Sequence, residues 1–251
     1  MKSKTVKTII VLFLVVFSKI ATSAEYAVVG DHYPPYQYKE HKKIKGFSYD
    51  VLRAVLSMNG DTISTTGIYP WKRALHMLET NQANILISAN YGEDRLKFAY
   101  YPTEPLVVTP WYLWKRKSEQ FKFASLEDLL GKKVGVVQGY AYTDAFWHFV
   151  RKHDLYTDTG NYTDDINLSN LNQGFYDVAI AELGNGIYVR DHLGLTNIEP
   201  ILATPVKQDG LYIIFSKAAF SAEKVDKFSE NLVKFKKSPE YLKIYQQYFP
   251  L

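Results

Sequence analysis

The sequence predicts an α/β protein of two lobes, each a mostly parallel sheet with helices on both faces. Three observations carry that expectation. Short β-type runs alternate with stretches of helical spacing, the alternation starts again near the middle of the chain, and no low-complexity linker separates the two stretches.

The first stretch opens with Tyr26–Gly30 (YAVVG), which reads as a strand. Phe47, Val51, Leu52, Val55 and Leu56 then recur at helical spacing over Phe47–Met58. Thr62–Thr66 reads as a strand. Pro70 stands where a first helical turn tolerates proline, and Trp71, Ala74, Leu75 and Leu78 mark one face of the helix that follows. Asn84–Ala89 is a further strand. This β-α-β-α-β order implies parallel pairing, because parallel neighbours need a crossover and a helix supplies it.

The second stretch begins with the extended run Val107–Trp114. Ser125-Leu126-Glu127-Asp128 has the serine and the acid three residues on that start a helix. Lys133–Gln138 is a strand ending at Gly139, Tyr142–Val150 is helical, and Asp177–Ala181 and Leu211–Phe215 are strands. Two helices close the chain. One is carried by Val225, Phe228, Leu232 and Phe235, and the other opens at Ser238-Pro239-Glu240. Leu106–Pro110 and Ile201–Val206 are the candidate crossings between lobes. Lobe 1 is then residues 24–107 with 206–251, and lobe 2 is residues 108–205. Solutes favour clefts between such units and the carboxyl ends of parallel strands.

The first residues stand apart from this pattern. Met1–Lys7 carries three lysines, Ile9–Phe17 is an unbroken apolar run, and Ala21-Thr22-Ser23-Ala24 is a small-residue stretch. That order is a secretory leader over residues 1–23, with cleavage after Ser23 or Ala24. The apolar run is shorter than the roughly 20 residues a bilayer span needs. The protein is therefore expected in the periplasm.

The 30 basic residues exceed the 26 acidic ones by four, and Lys2, Lys4, Lys7 and Lys19 account for that excess. The mature chain is neutral, so bulk charge points to no nucleic-acid partner. With no cysteine, disulfides, thiolate metal sites and a cysteine nucleophile are excluded. A core is supported by 47% hydrophobic residues, and 20 tyrosines and four tryptophans supply rings that both pack and hydrogen-bond.

Catalytic signatures are absent. No H-E-x-x-H, G-x-S-x-G or phosphate-loop lysine occurs, and His148 and His153 stand five apart, off a shared helix face. Asp164-Asp165 reads as a loop acid pair that nothing marks for acid–base work. No cofactor or metal is implied.

Several short pieces, in order, resemble one family. They are Tyr33-Pro34-Pro35-Tyr36, Gly46-Phe47-Ser48-Tyr49-Asp50, Pro70-Trp71, Ile85-Leu86-Ile87-Ser88, Arg95, Tyr101–Pro105, Leu130–Val136, Gln138-Gly139 and Tyr176-Asp177-Val178-Ala179. Together they resemble the bacterial extracellular solute-binding proteins of the polar amino acid type that serve ABC transporters. The resemblance implies the type II periplasmic binding fold, whose lobes close on a small-molecule ligand by a hinge. It also implies a monomer working with an ABC permease.

The resemblance assigns site residues. Arg95 stands at the spacing of the arginine that grips a ligand carboxylate, a task that suits the guanidinium fork. Ser88 and Asn90 lie beside it as further donors. Glu182 follows a strand where the family places an aspartate for the ligand ammonium. Tyr33 and Trp71 are the flanking aromatics, although Trp71 also fits ordinary core. Arg73, two residues on, is a candidate for a second acidic group on the ligand.

Two departures bear on the ligand. Tyr140 and Ala141 stand where the family carries small hydroxyl residues after the glycine, and Gly92 replaces a usual threonine. Tyr140 either narrows the pocket or supplies a phenol in their place. An enzyme is the alternative, because cyclohexadienyl dehydratases resemble these binders and Glu182 would serve there as general acid. A sensing module for a membrane partner is a third possibility.

Overall fold

The computed structural model describes residues 23–249. The leader read over 1–23 lies, apart from Ser23, outside the described residues. The first half comprises β1 (Glu25–Gly30), β2 (Tyr38–Glu40), β3 (Lys43–Lys45), α1 (Phe47–Ser57), β4 (Thr62–Ile68), α2 (Trp71–Glu79), β5 (Ile85–Ala89) and the short β6 (Ala99–Tyr100). β7 (Val107–Arg116) leads into the second half. There follow β8 (Val134–Val137), α3 (Asp144–His153), β9 (Thr157–Asn161), α4 (Asp164–Gln173), β10 (Val178–Glu182), α5 (Leu183–His192) and β11 (Ile198–Pro200). β12 (Lys207–Ser216) returns, and α6 (Ala222–Phe235) and α7 (Pro239–Tyr248) pack on α1.

One curled sheet runs through both halves in the order β4-β1-β5-β12-β7-β10-β8-β9. β4, β1 and β5 are parallel, as are β10, β8 and β9. β7 and β12 run antiparallel to each other with Lys207 opposite Trp111 and Leu211 opposite Val107. β7 continues beside β10, and β12 continues beside β5. The chain therefore passes between halves twice, on two strands bonded to each other. The return lies in β12 itself, and Ile201–Val206, read as a crossing, is a turn segment before it.

Strand alternation sorts the core. Val28, Ile85 and Ile87 pack with α1, whereas their neighbours Val29 and Leu86 pack with Trp71, Ala74 and Leu78 of α2. Period-two side chains thus place α1 and α2 on opposite faces. In the second half, Val178 and Ile180 join Phe146 of α3, and Ala179 and Ala181 join Leu168, Leu171 and Val189 of α4 and α5.

Several helix ends differ from the sequence reading. Pro70 sits at the N-cap position of α2, not inside its first turn. The segment after Ser125 is a single 3-10 turn, Leu126–Leu129, although Ser125 and Asp128 do form the reciprocal capping box. α7 starts as read. Ser238 accepts from the Tyr241 N–H at 3.1 Å, with Pro239 in the first turn. Ser238→Ala is expected to cost about 1 kcal/mol, seen as a lower denaturant midpoint at unchanged slope. An unshifted midpoint would show that the cap contributes nothing.

Candidate ligand-binding site

The strand ends converge. Asp31 and Tyr33 follow β1, Asn90 and Arg95 follow β5, Tyr140 and Ala141 follow β8, and Trp71 opens the helix after β4. These are carboxyl ends of parallel strands, where backbone turns leave a crevice. A small cavity of about 20 Å³ lies there, walled by Asp31, Tyr33, Trp71, Ser88, Asn90, Arg95, Trp111, Tyr140, Ala141 and Leu211. It adjoins an open groove that shares Arg95, Tyr140 and Ala141 and adds Glu93, Asp94, Asp144, Lys207 and Asp209.

Arg95 is the basic residue of the cavity wall and is only 4% exposed. It sits in a short 3-10 turn, Glu93–Lys97. One amino group donates to the Asn90 carbonyl at 2.7 Å, and the guanidinium lies 5.1 Å over the Trp71 ring. These contacts hold the fork in place while its Nε–H stays without a partner. The Tyr33 hydroxyl and the indole N–H groups of Trp71 and Trp111 are likewise buried and unpartnered. Buried donors ordinarily find acceptors, so the cavity wall matches a ligand rich in acceptor oxygens.

Asp31 is the acid of the wall and is 3% exposed. Its partners are neutral: the Gln37 amide donates at 3.0 Å and the Tyr140 phenol at 2.9 Å. Burial raises its pKa to about 6 against the opposing pull of those bonds. Gln37 passes the network on to Ser88, whose hydroxyl lies 2.5 Å from Gln37 Oε1 and 2.7 Å from Ser48 Oγ. Ser88 holds a left-handed backbone at φ 60°, an uncommon cost for a non-glycine residue that marks the strand end as constrained. Asn90 donates to the Gly210 carbonyl at 3.0 Å. Tyr140 comes from the second half and stands edge-on to Tyr33, Trp71 and Trp111, with ring centroids about 6 Å away.

Two candidates are not brought to the cavity. Arg73 is exposed on α2 with its guanidinium 4.8 Å over Tyr69. Glu182 caps α5: its two carboxyl oxygens accept from the N–H groups of Gly184 and Asn185 at 2.9 and 2.7 Å. It is 1% exposed, and burial raises its pKa to about 7 against those two N–H bonds and the Tyr36 hydroxyl. Asp164, read as part of a loop pair, instead opens α4 and is 2% exposed, with neither carboxyl oxygen partnered. Burial first, then the charges of Asp31, Asp165 and Glu182, push its pKa well up.

The sequence reading missed Asp31, Gln37 and Trp111. Asp31 directly follows the β1 strand, and that position at a parallel strand end was the available signal. Trp111 lies in the Val107–Trp114 run, but nothing in the run shows which residue faces the cleft.

A cavity between two α/β halves, at strand ends, holding one fixed arginine and a set of free donors, defines a solute-binding protein. Residues 27–251 match the bacterial extracellular solute-binding proteins, family 3, and the chain belongs to that family. No curated protein matches the chain in sequence. Among solved structures it is similar to a histidine kinase sensor domain with similarity to periplasmic binding proteins, at 22% identity and TM-score 0.79, covering 91% of this chain and 97% of that one. It is also similar to an ancestral arginine-binding protein bound to arginine, at 20% identity and TM-score 0.78, covering 90% and 98%. A third likeness is to a structure described for glutathione import through a cystine ABC importer of Streptococcus mutans, at 21% identity and TM-score 0.76, covering 90% and 95%. Among the described residues no helix is long and apolar enough to cross a membrane.

Proposed function

We propose that the chain is a periplasmic binder that captures an amino-acid-like molecule between its halves, closes on it by a hinge and delivers it to an ABC permease. The observation that carries this reading is Arg95, buried in the cavity wall, fixed by Asn90 and Trp71, with a free N–H. A guanidinium so held suits a carboxylate, which it meets by a charge-assisted bond. The leader read over residues 1–23 supports export, and arginine in the named neighbour supports an amino acid as ligand class. The paired strands β7 and β12 support a hinge, since both passages between halves lie side by side.

Ligand sensing for a separate membrane partner is the second reading, and the sensor-domain likeness favours it. Both readings use the same cavity. The dehydratase reading is weakened by Glu182, whose oxygens are engaged by backbone N–H groups outside the cavity wall.

The test starts from the compound that co-purifies from a periplasmic extract, identified by mass spectrometry. Added back at saturation, it is expected to shrink the radius of gyration in solution scattering and to be recovered unaltered after hours. An unchanged profile counts against hinge closure, and a changed mass counts against a binder.

A further inference from the structure

We propose that Asp31, not Glu182, receives the ligand's ammonium group, so that both charged ends of the ligand are held by the first half and the second half closes over them. This rests on the binder reading above and narrows the ligand to an amine-bearing monocarboxylate.

The two acids are bonded to a similar extent and differ in where they stand. An ionised carboxylate has about four lone-pair sites. At Glu182, both oxygens bond the first-turn N–H groups of α5 and the Tyr36 hydroxyl adds a further bond, and the side chain stands outside the cavity wall. At Asp31, Gln37, Tyr140 and its own backbone N–H supply as many bonds, but the side chain lines the cavity with Arg95. The cavity wall holds one acid and one base, Asp31 and Arg95, among neutral residues. The free donors of Tyr33, Trp71, Trp111 and Arg95 serve the acceptor end of a ligand. None of them serves an ammonium, and Asp31 does.

The charge around the site points the same way. The adjoining groove carries Glu93, Asp94, Asp144 and Asp209 against Arg95 and Lys207. An acidic mouth favours entry of a ligand that carries a cation. A dicarboxylate would meet one arginine, an acid at the wall and four acids at the entrance. Tyr140 ties this to closure, because its phenol reaches across from the second half to donate to Asp31. An ammonium that keeps Asp31 ionised keeps it a strong acceptor for that phenol.

The test uses the full mature chain and calorimetry, with the twenty L-amino acids as probes. The tightest probe is then compared with its 2-hydroxy analogue, which lacks the ammonium. Expected results are no detectable heat with L-glutamate or L-aspartate, and a 2-hydroxy analogue roughly tenfold or more weaker than the amino acid. Asp31→Asn should weaken the amino acid by a similar factor and erase its advantage over the analogue, whereas Glu182→Gln should leave affinity within about threefold. Titration near pH 6 in buffers of different ionisation enthalpy should reveal proton release on binding that Asp31→Asn abolishes, which a merely structural role would not produce. Loss of affinity in Glu182→Gln with retention in Asp31→Asn overturns the proposal and leaves the binder reading intact. Failure of all twenty amino acids to bind the wild type overturns both. Should Asp31→Asn fail to fold by circular dichroism, Glu182→Gln decides alone: retained affinity supports Asp31, and lost affinity overturns it.

Discussion

Replacing Arg95 by lysine is expected to weaken binding of the co-purified ligand by about 1.5–3 kcal/mol, on the order of 10-fold to 150-fold in affinity. Lysine keeps the charge, so the loss measures geometry. The guanidinium is planar and rigid, and here it is clamped between the Asn90 carbonyl and the Trp71 ring. An ammonium on a flexible stem makes neither the fork nor the stacking. It would leave the Asn90 carbonyl dependent on the Tyr101 hydroxyl, which donates to it at 3.1 Å. Calorimetry with the identified compound checks this, with thermal unfolding as the control for folding. Near-wild-type affinity for a carboxylate ligand would remove Arg95 from the site.

Stability is expected to fall as pH rises from 5 to 7.5, which is opposite to ordinary acid denaturation. Burial raises the pKa of Asp31 to about 6 and of Glu182 to about 7, and it pushes Asp164 up as well. A carboxyl whose pKa is higher in the folded state binds protons more tightly when folded. Its contribution is complete below the unfolded value near 4 and is lost as pH climbs through the folded value. For Asp31 and for Glu182 this amounts to on the order of 3 kcal/mol each. The lowered carboxylates, Glu40, Glu127, Asp128 and Glu199, are exposed and act with the opposite sign, below the pH window chosen. Denaturant unfolding at pH 5, 6, 7 and 7.5 reads the slope. Asp164→Asn should stabilise the protein at pH 7.5 and flatten the curve, because it removes an unpartnered buried carboxyl. Stability that is flat or rising across that interval would contradict the burial of these acids.

Much of the first half was legible in the sequence, and the reason is packing. α1 and α2 bury apolar residues at helical period, as Val51, Leu52, Val55 and Leu56 do in α1, and β1 and β5 bury apolar runs. α4 and α5 escaped notice because their buried faces are not apolar. α4 buries Asp164 and Asn167 beside Leu168 and Leu171. Asn167 earns its place by hydrogen bonding, donating to the Ile180 carbonyl at 3.2 Å and accepting from the Tyr176 hydroxyl at 2.7 Å. α5 carries Gly184 and Gly186, which lower helix propensity. A Cβ on Gly186 would come 2.3 Å from the Trp114 ring, so close packing of indole on helix overrides propensity there. The site was legible where a residue type announces its chemistry, as at Arg95. It was not legible where two acids compete. Only position distinguishes them, Asp31 in the cavity wall and Glu182 outside it, and that depends on tertiary placement.

The paired strands β7 and β12 would also set the mechanics of the proposed closure. Two strands laced by hydrogen bonds act as a flat strap: they resist splaying apart but yield to twist. Both backbone passages between the halves run through that pair, so under the proposed closure it would be the joint. Trp111 lies on it, opposite Lys207 on one side and Glu182 on the other, while its indole walls the cavity. Under the proposed closure, the strand that would turn also carries the indole that walls the cavity. A substitution at Trp111 would change the stiffness of the joint and the grip on the solute together, and the two properties could not be tuned apart at that position.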